Sequence, residues 1–144
     1  SLHRAIRRVP LLVRYPRAEG AGRVVEDVVR LEDVFPTALE VCGLPVPPGL
    51  DGASLRGDTA GRISRASWGP QRTLVPSLLE RHPGADTSFL MVVIEAVFDG
   101  RMHLMVRSDG GVELYDVAAD PLETRNLATE RPEEVERLRA LLDT

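Results

Sequence analysis

The chain has 144 residues and is 43% apolar, enough for one domain or a piece of a larger one with a substantial core. Its basic residues are all Arg, but 22 acids against 18 arginines leave a net charge of −4 with both signs interspersed, so the electrostatic footprint of a nucleic-acid binder is absent. No apolar run approaches the ~20 residues of a membrane-spanning helix, and a single cysteine excludes an internal disulfide or a cysteine-based metal cluster.

"RVPLLVRYP" is a continuous apolar run, Val9 to Val13, closed by Pro16. Runs without alternation belong to strands covered on both faces, as in the parallel sheet of an α/β domain. Pro10 cannot donate to a ladder and fits the start of such a strand. Residues 17 to 22, "RAEGAG", read as a loop.

The next segment predicts a helix from roughly residue 31 to residue 42. Asp33 supplies negative charge near its N-terminus, Pro36 is tolerated in the opening turns, and Gly43 suits a left-handed terminator. Leu31, Val34, Ala38, Val41 and Cys42 form an apolar stripe at helical spacing. Cys42 accordingly reads as a small buried hydrophobe rather than a nucleophile. Residues 45 to 62 are rich in Pro, Gly and polar side chains and read as an irregular subdomain boundary.

"RTLVPSLLERH" predicts a short helix interrupted by Pro76. Beyond it, "SFLMVVIEAVFDG", "RMHLMVRS" and "VELYDV" predict three antiparallel strands joined by turns at Asp99-Gly100 and "DGG". "ERPEEVERLRALLD" closes the chain as a helix, with Pro132, Glu133 and Glu134 in its first turn and Val135, Leu138 and Leu142 on the docking face.

With these residues in place, the chain resembles the C-terminal part of a sulfatase of the alkaline phosphatase-like superfamily. "RRVPLLVRYP" is similar to the family's Arg-Val-Pro strand. "DVFPTALEVCGLPVPPGLDGASL" is similar to its Asp-x-x-Pro-Thr helix, glycine, and loop ending in Gly-x-Ser-Leu. "ELYDVAADPLETRNLA" resembles its closing Leu-Tyr-Asp strand and Asp-Pro-x-Glu-x-x-Asn-Leu turn. The match is weakest between residues 62 and 88. The resemblance implies an α/β fold, the C-terminal part of an alkaline phosphatase-like sandwich. Residues 1–60 would hold the last strand and helix of the core domain with a connecting loop. Residues 61–144 would form a small antiparallel-sheet subdomain with a terminal helix. Asp33, Pro36, Thr37 and Gly43 are then architecture.

The family's chemistry uses a formylglycine made from a Cys-x-Pro/Ala-x-Arg cysteine and a divalent cation, usually Ca²⁺, held by three Asp and one Asn, with Lys and His stabilising oxygens. In family order the nucleophile, the metal ligands and a late lysine precede Ser1. Cys42 is followed by "GLPVP", and the sequence has no Lys. No catalytic residue or metal ligand is therefore expected in this segment. It would complete the fold and shape the cleft of a sulfuric ester hydrolase. The expected partners are the missing N-terminal part of the same enzyme and, in that parent, Ca²⁺ and a sulfate ester substrate. The alternatives are the same segment of a phosphodiesterase or phosphonate monoester hydrolase, or a noncatalytic interaction module.

His3 is the residue nearest the family's site and a candidate substrate contact; the family often has an aromatic there and an acid where this chain has Arg4. Arg7 and Arg8 could meet an anion, but Arg8 matches a strand-entry arginine and reads as a structural ion pair. His103 stands where the related sheet often has Lys, and His3, His82 and His103 lack zinc spacing. Asp116, Asp120, Glu123 and Asn126 do not fit a calcium loop; Asp120-Pro121 reads as a turn with Asn126 satisfying local backbone. Trp68 rims a cleft or packs at a subdomain interface. The open "VPLLV" strand predicts poor solubility or association of the isolated chain. The compartment stays open.

Overall fold

A computed structural model describes residues 2–3 and 8–142. Arg4 and Arg7, named above, lie outside the described residues. The chain divides into two compact units, Val9–Ser64 and Ser1–Arg8 with Arg65–Thr144.

In the first unit the strand expected at Val9–Val13 does not form. The segment has no regular secondary structure, and Leu12 is 95% exposed. An extended segment becomes a strand only by sharing its N–H and C=O groups with a neighbour. No described residue of 9–63 belongs to a strand that could serve as that neighbour.

The helix is present as a 3₁₀ turn, Leu31–Asp33, running into α1, Val34–Val41. It ends as its sequence requires. Gly43 takes φ +69°, its amide donates to Glu40 O at 3.0 Å, and the Leu44 amide reaches back to Leu39 O at 2.9 Å, the paired bonds of a Schellman terminator.

The buried face of α1 is not the expected stripe. Asp33, Pro36 and Thr37 are buried, whereas Leu31 is 86% exposed and Val34, Ala38 and Cys42 are also exposed. Cys42 is therefore not the buried hydrophobe its position in the stripe suggested. Hydrogen bonds explain the inversion. The Thr37 hydroxyl donates to Asp33 O at 2.6 Å and accepts the Leu55 amide at 2.8 Å, and Asp33 Oδ1 accepts the Ala53 amide at 2.9 Å. These bonds hold the "DGASL" loop on the polar side of the helix. Gly52 is required there, because a Cβ would overlap the Glu32 carbonyl and sit 2.8 Å from the Asp33 amide nitrogen.

The second unit is built on a four-stranded sheet in the order β1 (Ser64–Trp68), β2 (Ile94–Phe98), β3 (Met102–Arg107), β4 (Val112–Asp116). β2, β3 and β4 are the three strands the sequence pattern predicts, although the first begins at Ile94 and Ser88–Leu90 forms a 3₁₀ turn instead. β1 had no strand signature, being short and built of Ser, Arg and Ala up to Trp68. α2, Leu74–Arg81, forms despite Pro76 because the proline falls in the first turn, where its absent N–H costs no hydrogen bond.

Antiparallel pairing sets two rows across the sheet. Phe98, His103 and Tyr115 stand in one row; Val97, Leu104 and Leu114 stand in the next, on the opposite face. The second row is completely buried. α3, Pro132–Arg139, lies against β3 and buries Val135 and Leu138. Arg137 on α3 bonds Glu134 at 2.8 Å and reaches the β2–β3 turn through Asp99 at 2.6 Å. On the first face, Leu2 packs with Ala96, Met105 and Tyr115.

Candidate functional site

Glu123 sits in the loop between β4 and α3 with φ +54°, a left-handed conformation that a non-glycine residue adopts only when its surroundings impose it. The loop supplies the imposition. The Glu123 amide donates to Asp120 O at 3.1 Å, and Asp120 Oδ2 accepts the Thr124 and Arg125 amides at 2.7 and 2.9 Å. Asn126 ties the loop to β4: its Oδ1 accepts the Leu114 amide at 3.0 Å, and its Nδ2 donates to Val112 O at 3.0 Å. Asp120 and Asn126 thus have the local roles their sequence context implies, and together they turn Glu123 inward, its side chain 1% exposed.

The Glu123 carboxylate is forked between two imidazoles. Oε1 lies 2.5 Å from His103 Nδ1 and Oε2 lies 3.1 Å from His3 Nδ1. His103 is completely buried on β3, whereas the His3 side chain is 39% exposed. The His3 ring centroid is 5.7 Å from that of Tyr115, and the Tyr115 hydroxyl donates to Glu113 Oε2 at 2.8 Å. His3 Nε2 is 3.7 Å from that same oxygen. Burial first, and then its bond to Glu113, push the Tyr115 phenol above its usual value, so it remains a donor at neutral pH.

An ionised carboxylate only accepts, so with Glu123 charged each histidine donates from Nδ1. His3 consequently turns Nε2 toward Glu113 and the partly exposed edge. The arrangement orients an imidazole; it does not chelate. No group of three His, Cys, Asp or Glu among the described residues is placed to hold a metal ion. The carboxylates that might serve are engaged: Glu123 by two imidazoles, Asp120 by amides, and Asp33 by the Ala53 and Arg30 amides and the Arg62 guanidinium. Among the described residues, these three carboxylates do not fit a resident Ca²⁺.

The structure joins His3 and His103, far apart in sequence, and leaves His82 exposed at the end of α2. Arg8 is exposed and pairs with no described residue. Trp68 is partly exposed at the end of β1. Sequence reasoning missed Glu123, Glu113 and Tyr115 as neighbours of His3. The alternation of Glu113 and Tyr115 in "VELYDV" places them on one face, but nothing in the spacing foretells the left-handed turn that aims Glu123 at it.

In the other unit, Asp33 is fully buried. Burial alone would raise its carboxyl; the Ala53 and Arg30 amides and the Arg30 and Arg62 guanidinium groups outweigh it and hold the group below its usual value. The same unit carries an open hollow of about 490 Å³ lined by Leu11, Leu12, Val13, Val24, Val25 and Val29 among others.

The sequence profile described as "N-sulphoglucosamine sulphohydrolase, C-terminal" matches residues 2–143, nearly the whole chain. The chain belongs to this family. It is similar to arylsulfatase K of Mus musculus, 32% identical over 92% of this chain and 24% of the relative. Among solved structures it is similar to a 2-O GAG sulfatase, with a TM-score of 0.58 and 23% identity over 77% of this chain and 23% of that one, a likeness of fold. It is also similar to the phosphonate monoester hydrolase of Agrobacterium radiobacter, with a TM-score of 0.53 and 28% identity over 85% of this chain and 27% of that one. The chain spans about a quarter of the length of the curated relatives it matches. It is a C-terminal sulfatase-type segment with the α/β architecture of the alkaline phosphatase-like fold.

Proposed function

We infer that this segment completes and shapes the cleft of a sulfuric ester hydrolase, and that its nucleophile and a divalent cation, calcium by resemblance, are held by residues upstream of those seen here. The observation that carries this is the bare apolar surface of one unit. Val9, Leu11, Leu12 and Val13 are exposed in a segment whose composition is that of a strand covered on both faces, and Val24, Val25, Leu31 and Val34 of the same unit are exposed as well. A sheet supplied by the upstream polypeptide would pair the segment and cover that surface. Residues 1–60 then belong with the core domain and residues 61–144 form the C-terminal subdomain; the change of compact unit at Ser64 and Arg65 supports the boundary between them, while Ser1–Arg8 groups with the second unit. His3 stands at the rim as a substrate contact. The substrate class is a sulfate ester, in keeping with the sulfatases among its relatives.

The test compares the 144-residue chain with the complete polypeptide in which it lies. The complete polypeptide hydrolyses an aryl sulfate and loses turnover to a chelator, while the isolated chain gives the buffer blank with or without Ca²⁺. Turnover by the isolated chain that survives repurification and disappears in His3→Ala would overturn the proposal. So would a complete polypeptide that cleaves phosphonate monoesters and no sulfate ester.

A further inference from the structure

A buried carboxylate costs several kcal/mol of solvation unless both oxygens are satisfied. Glu123 meets that condition with two imidazoles far apart in sequence, and it does so from a left-handed backbone that Asp120 and Asn126 enforce. For holding His103 alone, one oxygen suffices. The second is directed at Nδ1 of His3, the more exposed ring, and so fixes which nitrogen of that ring carries the proton and which way the other faces. Tyr115 closes the ring's other side at 5.7 Å and is itself held by Glu113.

The geometry points to Glu123 as the positioning residue of His3: it accepts the hydrogen bond from Nδ1–H and thereby presents the His3 Nε2 lone pair, beside Glu113, as the acceptor edge that meets a hydroxyl of the substrate. The inference rests on the reading of His3 as a substrate contact, but its structural half stands independently. Glu123 touches no substrate itself. Its effect passes through the tautomer and angle of one imidazole.

The experiment uses the complete polypeptide, selectively labelled with ¹⁵N-histidine, with the His3 signals assigned by their disappearance in His3→Gln. In the unaltered protein His3 carries its proton on Nδ1. Glu123→Ala moves the proton to Nε2, the form a free imidazole prefers, and Glu113→Gln leaves it on Nδ1. Glu123→Gln keeps the side-chain volume should the alanine variant fail to fold; with one acceptor oxygen for two rings, it weakens the Nδ1–H form of His3 or His103. In turnover, Glu123→Gln and His3→Gln each raise KM by about fivefold to tenfold, the size of one lost hydrogen bond, with kcat little changed, and the double variant is no worse than either single one. A His3 protonated on Nε2 in the unaltered protein, or ring signals indifferent to both Glu123 substitutions, overturns the proposal. If the tautomer follows Glu123 while His3→Gln leaves KM unchanged, the positioning stands and the substrate-contact reading falls.

Discussion

Asp33→Asn is the substitution whose cost follows most directly from the geometry. The side chain keeps its shape but exchanges one carboxylate oxygen for an NH₂ group. In the unaltered protein Oδ2 accepts the Arg30 amide at 2.8 Å and Oδ1 accepts the Ala53 amide at 2.9 Å, with the Arg62 guanidinium 3.2 Å from Oδ2. One amide must then face a donor, and the guanidinium loses its counter-charge. A hydrogen bond to a charged acceptor contributes roughly 1.5–3 kcal/mol, and a donor left unsatisfied in a buried site costs roughly 1–3 kcal/mol. The two overlap, so about 3 kcal/mol is the expected loss, felt where Asp33 holds the "DGASL" loop. Native-state hydrogen exchange reads it locally: the Ala53 and Leu55 amides should exchange about 100-fold faster, at about 1.4 kcal/mol per decade. The pH dependence has a fixed sign. The Asp33 carboxyl is held below its usual value, so its contribution is fully present above about pH 4 and is lost as the pH falls through the depressed folded value. The difference between unaltered and Asn proteins should narrow below about pH 4. Exchange within threefold of the unaltered protein at neutral pH would refute the assignment of Asp33 as the loop's anchor.

Gly52→Ala should displace the same loop, because the new methyl group meets backbone that cannot yield; the expected loss is at or above the ~3 kcal/mol upper end for overpacking, read as loss of Ala53 and Leu55 protection. Leu138→Ala removes a completely buried side chain of α3 from the second unit and should cost about 2–5 kcal/mol in urea unfolding followed by a probe in the sheet, with a loss of stability below ~1 kcal/mol counting against the packing described.

The second unit was the more legible half because its elements satisfy one another. β2, β3 and β4 are near neighbours in sequence, their turns carry the expected Asp-Gly chemistry, and their alternation alone sets the buried row Val97, Leu104 and Leu114. β1 was missed because a five-residue strand of small and polar residues owes its state to β2 rather than to its own pattern. The candidate site was legible only in part. His3 was identified from its place before the Arg-Val-Pro run, but its partners come from residues 113 to 123, brought to it by the register of the hairpin and by one left-handed residue. No local periodicity encodes a contact of that range.

The first unit misled for the opposite reason: its pattern was written for a partner the described residues do not provide. Val9–Val13 has the composition of a covered strand and lies uncovered, and α1 has a sound apolar stripe that faces outward. Yet Asp33, Thr37 and Gly52 still fix the loop against the polar side of α1 by bonds that need nothing beyond this unit. Capping and loop closure are thus local and self-sufficient, whereas strand pairing and apolar burial are not. A helix whose polar face is the one already buried has its apolar face left for something else. Within the proposed function, that something is the upstream sheet. Adding the upstream polypeptide should then protect the Leu12 and Val13 amides without changing those of Ala53 and Leu55.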